Sequence, residues 1–376
     1  MPSTNYFATT AKGLETVVAA ELKNLGLKIL DTPAGGVHFS GTRADGYRAC
    51  LWLRSANRVL QPIASFPCHS ADSLYDQVYA LPWTEYLLPE MTLAVDCRLR
   101  SSLLTHSRYV ALKTKDAIVD KLRDRTGRRP DVNPGSPDLR LNVHLADNQC
   151  TVSLDLAGDS LHRRGYREGR VEAPLRETLA AGLIGLSGWE GTTSFADPMC
   201  GSGTLPLEAA FQAIDMAPGL LGRSFGFERW PDFDDRAWRE IRNQAREVRR
   251  QNADCTILGA DRNPRALDQA RKNASRAGID NPITWRQSAF AALTPPDQPG
   301  TLLVNPPYGE RLGEVEALEN LYRAIGDILK QRWTGWTAWV FTGNLELAKK
   351  IGLKASRRLV LFNGPIECRL LKYQLY

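Results

Sequence analysis

The chain has 376 residues, 43% hydrophobic and 24% charged, with a net charge of +6 and a pI of about 8.9, which predicts two or three globular domains and suits a polyanion partner. No apolar run approaches the roughly 18 residues of a membrane span, and the opening MPSTNYFATTAKGLE lacks the basic and apolar regions of a secretory signal, so a cytoplasmic protein is expected. The seven cysteines and five histidines are dispersed with no CxxC or HExxH, which argues against a disulfide framework and against a bound metal.

Along the chain, Lys12 to Leu25 reads as an amphipathic helix, with Leu14, Val17, Val18, Leu22 and Leu25 at helical spacing and Gly26 as its stop. GGVHFSG and LAVDCRL read as strands. Between Arg98 and Arg129 ten Lys or Arg stand against three Asp, and SRYVALKTKDAIVDKLRDRTG within it is a basic helix ending at Gly127. Serines, His106 and Tyr109 are interleaved there, a mixture that suits phosphate contact and base stacking and also suits a solvated helical face. RLNVHLADNQCTVSLDLAG alternates on both arms of a hairpin turning at Asp147 and Asn148. DSLHRRGYREGR, Asp159 to Arg170, is polar and carries four arginines, which fits a linker, an exposed loop or a phosphate contact.

The second half has a different rhythm. SFADP, TILGAD, PITWRQS, TLLVN and TAWVFTG read as strands separated by helices, so a mostly parallel, doubly wound sheet is expected. One of those helices has its ends written into it, with Asn263 as N-cap, Pro264 in the first turn and Gly278 just past the end. LVLFNG and CRLLKYQLY suggest a closing antiparallel hairpin, and the Arg-, Trp- and Phe-rich run from Asp215 to about Asn252 reads as an inserted helical segment.

Ligands of such sheets sit beyond the carboxyl ends of the strands, and three ends here carry unusual residues. DPMCGSGT places Gly201 and Gly203 ahead of a helix N-terminus, but Pro206 stands where a dinucleotide fingerprint needs its third glycine, and no P-loop Lys follows. Asp197 before the glycines suits a ligand with a cationic amino-acid end, and Asp261 at the end of TILGAD suits a ribose diol. NPPY at the end of TLLV is either a rigid turn or a clamp for a flat amine. In the second case the Asn305 side-chain oxygen and the Pro306 carbonyl accept the two amine hydrogens, Pro307 stiffens the turn, and Tyr308 stacks on the base for roughly 1–3 kcal/mol.

DPMCGSGT, Asp261 and NPPYGERLG together resemble the class I S-adenosylmethionine-dependent methyltransferases that modify exocyclic amines. YFATTAKGLE, LHRRGYR, APLRETLAAGLIGLSGW and ECRLLKYQLY narrow this, being similar to the THUMP-containing guanine-N2 RNA methyltransferases of the RlmL type, which act on large-subunit (23S) ribosomal RNA. The resemblance implies an α/β protein: a Rossmann-like doubly wound methyltransferase domain over residues 173–376, after a ferredoxin-like portion (1–58), a THUMP domain (59–158) and a linker (159–172). It implies S-adenosyl-L-methionine as cofactor, lined by Asp197, Pro198, Gly201, Gly203, Thr204, Asp261, Ser288 and Asn305, with Asn305, Pro306, Pro307 and Tyr308 around the target amine. APLRET would pack under the cofactor. Arg98, Arg100, Arg108, Lys113, Lys115, Arg163, Arg164 and Arg167 become RNA contacts, with 23S rRNA or a ribosome assembly intermediate as partner of a monomer. One residue departs from the pattern: where such enzymes end the third strand in an acid facing the adenine amine, this chain has Ser288, which accepts less strongly and implies weaker cofactor binding. Guanine-N2 methylation of transfer RNA and a non-catalytic RNA-binding protein remain as alternatives.

Overall fold

The computed structural model of the chain describes residues 3–167, 175–308 and 315–376. In the first half the elements are β1 (Thr4–Thr9), α1 (Glu15–Asn24), β2 (Lys28–Asp31), β3 (Gly36–Gly41), α2 (Arg43–Trp52), β4 (Arg58–Pro67), α3 (Ala71–Ala80), β5 (Thr92–Arg100), α4 (Ser107–Thr126), β6 (Asp131–Val132), β7 (Leu139–Ala146) and β8 (Gln149–Asp155). The strands form one continuous sheet in the order β2-β3-β1-β4-β8-β7-β5-β6. The boundary expected between residues 58 and 59 falls at the start of β4, and β4 pairs with both β1 and β8. Sequence reading missed this central strand because prolines demote a run to an edge. Here Pro62 sits where the β4–β8 register slips, a position that needs no ladder donor. The β7–β8 turn is as expected, with Asp147 and Asn148 both left-handed at φ 52° and 61°.

The second half contains α5 (Glu177–Ser187), β9 (Ser194–Asp197), α6 (Thr204–Ala213), α7 (Asp235–Glu247), β10 (Ile257–Asp261), α8 (Pro264–Ala277), β11 (Ile283–Gln287), β12 (Gly300–Val304), α9 (Val315–Arg332), β13 (Thr337–Thr342), α10 (Leu345–Lys350), β14 (Arg357–Asn363) and β15 (Ile366–Gln374). Its sheet runs β11-β10-β9-β12-β13-β15-β14. Strands β9 to β13 are parallel and β15 returns antiparallel to β13 and β14. Alternation along the strands explains the layers. Phe195, Leu303, Trp339 and Phe341 face a core with α5, α6 and α8, while Ala196, Leu302, Val304 and Val340 face one with α9 and α10. Chain order reverses between β9 and β12, so the crevice for a ligand lies at their carboxyl ends.

The two halves are packed together. Leu14 and Val17 of the first half lie so close to Gly182 and Gly185 on α5 that a Cβ at either glycine would fall 2.4 or 2.6 Å from them. The inserted segment folds back on the first half: Phe225, Phe227 and Trp238 join the core of α1 and α2, and the Phe227 ring stacks on Tyr47 at 4.1 Å between centroids. The stretch after β8 is equally internal, with Arg164 and Tyr166 buried; the rest of the expected linker, residues 168–172, lies outside the described residues, as do Ala173 and Pro174 of APLRET.

Candidate functional site

Strand β9 delivers Asp197 to the crevice, fully buried. Its Oδ1 accepts from the Met199 N–H at 3.1 Å, and burial, with the Asp261 carboxylate adding to it, holds its carboxyl well above the usual range. Pro198 is buried beside it. The Asp261 carboxylate ties the loop to the next strand: Oδ2 accepts from Gly201 N–H at 2.9 Å and Oδ1 from Asn263 N–H at 2.8 Å. Each oxygen keeps a lone pair for an outside donor such as a ribose hydroxyl. Cys200, whose thiol burial pushes well up, is a packed residue.

The two glycines of the loop serve different ends. Gly201 has φ 54° and nothing within 4 Å of where a Cβ would stand, so space beside it is open. Gly203 has φ 84°, and a Cβ there would lie 2.8 Å from the Trp285 ring and 2.9 Å from Ala270 Cβ. Both alanine variants carry left-handed strain of about 1 kcal/mol or more. Gly203→Ala is expected to lower the unfolding midpoint clearly further than Gly201→Ala, whereas Gly201→Ala is expected to weaken nucleoside binding with only that strain as its stability cost. Thermal unfolding and ligand titration on the two variants separate these effects.

Thr204, at the start of α6, accepts through Oγ1 from Arg167 Nη2 at 2.6 Å, and Arg167 also lies 3.5 Å from Glu177. Against the expectation that Arg167 meets RNA, its guanidinium braces the glycine loop at Thr204 and pairs with Glu177. Arg164 departs from expectation likewise. It is 2% exposed, paired with the buried Glu208 at 3.4 Å and donating to Leu161 O at 2.9 Å, so it has no face for a phosphate. Ser288 is half-buried; its N–H donates to Asp261 O at 3.1 Å and its hydroxyl to Ala289 O at 3.0 Å.

Beyond β12, Asn305 follows directly on the buried Val304. Its Oδ1 is buried and accepts from nothing among the described residues. A stranded acceptor of this kind costs about 1–3 kcal/mol unless a donor arrives. Pro306 is buried and Pro307 exposed. Tyr308 is half-buried, with its Oη accepting from Asn363 Nδ2 at 3.0 Å; Gly309 to Gly313 of NPPYGERLG lie outside the described residues. The structure thus gathers Asp197, Gly201, Asp261 and Asn305 at neighbouring strand ends of one sheet edge. Sequence reading missed Arg167 and Trp285 as supports of the loop, and it missed Asn363, whose place before Gly364 signals only a hairpin turn.

The remaining basic residues divide by exposure. Arg98, Arg100, Arg108 and Arg163 are exposed, Arg100 and Arg163 each 2.8 Å from a surface aspartate. Lys113 and Lys115 are half-buried, facing Asp72 and Asp116. Tyr109 and Leu112 on α4 and Leu103 before it are exposed among them. Among the described residues no group of three His, Cys, Asp or Glu could hold a metal ion, and no helix is long and apolar enough to cross a membrane.

Comparison with known proteins agrees with this layout. Three family descriptions match: "RlmL ferredoxin-like domain" over residues 5–60, "THUMP domain" over 68–155, and "RMKL-like, methyltransferase domain" over 164–372. The Synechocystis sp. protein slr0064, to which an RNA methyltransferase role is ascribed, is 44% identical over 371 residues, covering 99% of this chain and 97% of that protein. The ribosomal RNA large subunit methyltransferase K/L of Syntrophotalea carbinolica is 45% identical over 381 residues, covering 98% of this chain and 53% of its own length. The chain therefore spans about half the length of that relative. The crystal structure of SMU.472 complexed with SAH superposes with a TM-score of 0.89 at 34% identity, covering 100% of this chain and 99% of that one.

Proposed function

Because the chain belongs to the RMKL-like methyltransferase family, we propose that it methylates the exocyclic N2 amine of a guanosine in large-subunit ribosomal RNA, in the cytoplasm. The observation that carries this reading is the buried Oδ1 of Asn305, without a donor among the described residues, at the switch point of the sheet. S-adenosyl-L-methionine, when bound, supplies an electrophilic methyl group. The chain's own residues do the rest. Gly201 leaves the crevice open, Asp261 offers its free lone pairs to a ribose, and Asp197 faces a cationic amino-acid end. Asn305 and the Pro306 carbonyl accept the two hydrogens of the target amine, which favours a tetrahedral nitrogen with an available lone pair. Tyr308 supports the base by stacking, and Ser288 stands beside the adenine.

A duplex-bound guanine cannot bring its amine to this edge, so the base is flipped out of its stack. We assign the gripping of RNA to the exposed basic side chains Arg98 and Arg100 of β5 and Arg108 of α4, with Tyr109 beside them for stacking. The working boundaries are 1–58, 59–158, 159–172 and 173–376.

The state of Asp197 makes cofactor binding pH-dependent. Its raised carboxyl must lose a proton to meet an ammonium, so binding releases protons and tightens as pH rises through that titration. Calorimetric titration of S-adenosyl-L-homocysteine over a series of pH values, in buffers of different ionisation enthalpy, reads both effects. Proton uptake, or affinity falling with pH, would remove Asp197 from this role.

The deciding experiment gives the protein deuterated S-adenosyl-L-methionine with separated rRNA and tRNA from a strain lacking its gene, and identifies nucleosides by mass spectrometry. Labelled N2-methylguanosine in rRNA is expected. Label in tRNA keeps the chemistry and overturns the substrate, and label on another base overturns the amine. No label, with cofactor bound, leaves an RNA-binding protein.

A further inference from the structure

Tyr308 is held from outside its own loop. Its hydroxyl accepts from Asn363 at 3.0 Å, and its ring lies against Gly343, where a Cβ would fall 2.9 Å from a ring carbon and 2.9 Å from Ile366 Cγ2. Burial raises the phenol's pKa, so the hydroxyl is neutral at working pH. Asn363 is the last residue of β14, and β14 is the edge strand of its sheet, paired with β15 alone. An edge strand with one partner needs a second support to fix its end. The first half of the chain supplies it. A Cβ at Gly13, which has φ 95°, would fall 2.6 Å from Val360 O and 2.8 Å from Leu361 Cδ2, and Lys12 Nζ lies 5.6 Å from the centre of the Phe362 ring. Val360, Leu361 and Phe362 are the three residues leading into Asn363. The turn that touches them is itself locked, because Glu15 accepts from Gly13 N–H at 2.7 Å and from Gly35 N–H at 2.8 Å.

We propose that Asn363 is a positioning residue for Tyr308, and that the Lys12–Glu15 turn of the N-terminal half holds it in register, so that the RNA-gripping half completes the pocket for the target base. The proposal rests on the reading of Asn305 to Tyr308 as the amine site. Its physical content is orientation: the ring plane that meets the base is set by the packing against Gly343, the Cys368 thiol and a hydrogen bond whose donor, Asn363, stands on a strand braced by the other half. A stacking surface free to tilt costs reaction rate without touching the cofactor, since Asp197 and Asp261 end other strands and Gly201 lies in the loop after β9.

The test uses the full chain and four variants, with kcat and KM for RNA, S-adenosyl-L-homocysteine affinity and the thermal midpoint measured on each. Asn363→Ala is expected to lower kcat about 10- to 100-fold with cofactor affinity and midpoint unchanged. Asn363→Asp, which accepts from the Tyr308 hydroxyl and so keeps a bond, is expected to recover most of that loss. Glu15→Ala, far from the base but releasing the turn, is expected to lower kcat in the same direction. Unchanged kcat in Asn363→Ala, with Asn305→Ala inactive, would overturn the positioning role and leave the amine site standing. Unchanged kcat in both would sink the amine site itself. A loss in Asn363→Ala that follows a falling midpoint, with no rescue by Asn363→Asp, would reduce Asn363 to a structural residue.

Discussion

Replacing Asn305 with alanine is expected to slow methyl transfer by about 100- to 1,000-fold, the range seen when one preorganised polar partner of a reacting group is removed, while S-adenosyl-L-homocysteine still binds. The second half of the expectation concerns stability. In the free protein Asn305 Oδ1 is buried without a donor among the described residues, and such an atom costs about 1–3 kcal/mol. Truncation removes that cost together with some packing, so the variant is expected to melt no lower than the parent. A residue whose loss leaves stability intact and activity destroyed is kept for chemistry. Single-turnover rates with saturating cofactor, set beside unfolding midpoints, give both numbers. An Asn305→Ala protein that transfers methyl groups at the parental rate would end the amine-clamp reading, and one that melts several degrees lower would give Asn305 a structural role instead.

Legibility in the sequence followed the range of the forces involved. Helix α8 was readable because its caps are local: Asn263 accepts from Arg265 N–H at 3.0 Å, Pro264 opens the first turn, and Gly278 closes it at φ 64°. The parallel sheet was readable because each strand is a short apolar run with a helix after it, and the Asp147–Asn148 turn because few other residues take left-handed angles in pairs. Long-range partnerships were not readable. Nothing near Pro62 announces a bulge that lets β4 lie centrally between β1 and β8. Asn363 looked like a turn residue, since its partner Tyr308 is 55 positions away. Arg164 sits in a run of polar residues that reads as surface, and its partner Glu208 lies 44 positions on, in a helix. A charge is assigned to surface or interior by what faces it, and that is settled only by the fold.

Arg164 is also where the largest stability effect is expected. Its guanidinium donates to Leu161 O at 2.9 Å and to Arg54 O, and it faces both oxygens of Glu208 at 3.4 Å, with Glu208 fully buried. Around the pair, Tyr166 Oη lies 3.4 Å from Glu208 Oε1, and Arg54 Nη2 donates to Phe211 O at 3.2 Å. Residues of the first half, the connecting stretch and α6 thus meet in one buried polar cluster. Arg164→Ala strands the Glu208 carboxylate and two carbonyls at once, which predicts a loss of about 3–5 kcal/mol by denaturant unfolding. The contacts at 3.4 Å are long for charged pairs, which favours the lower end of that range. Glu208→Gln is expected to cost less, because the amide still accepts from Tyr166. The informative variant is the double one: Arg164→Leu with Glu208→Leu is expected to recover most of the stability, since an apolar pair of similar volume commonly replaces a buried ion pair at little cost. An RNA contact predicts the opposite pattern, with Arg164→Ala weakening RNA binding at constant stability and the double variant restoring nothing. Measuring unfolding and RNA affinity on the same three proteins therefore decides whether this arginine joins the halves of the molecule or faces its substrate, and the burial of both side chains argues for the first.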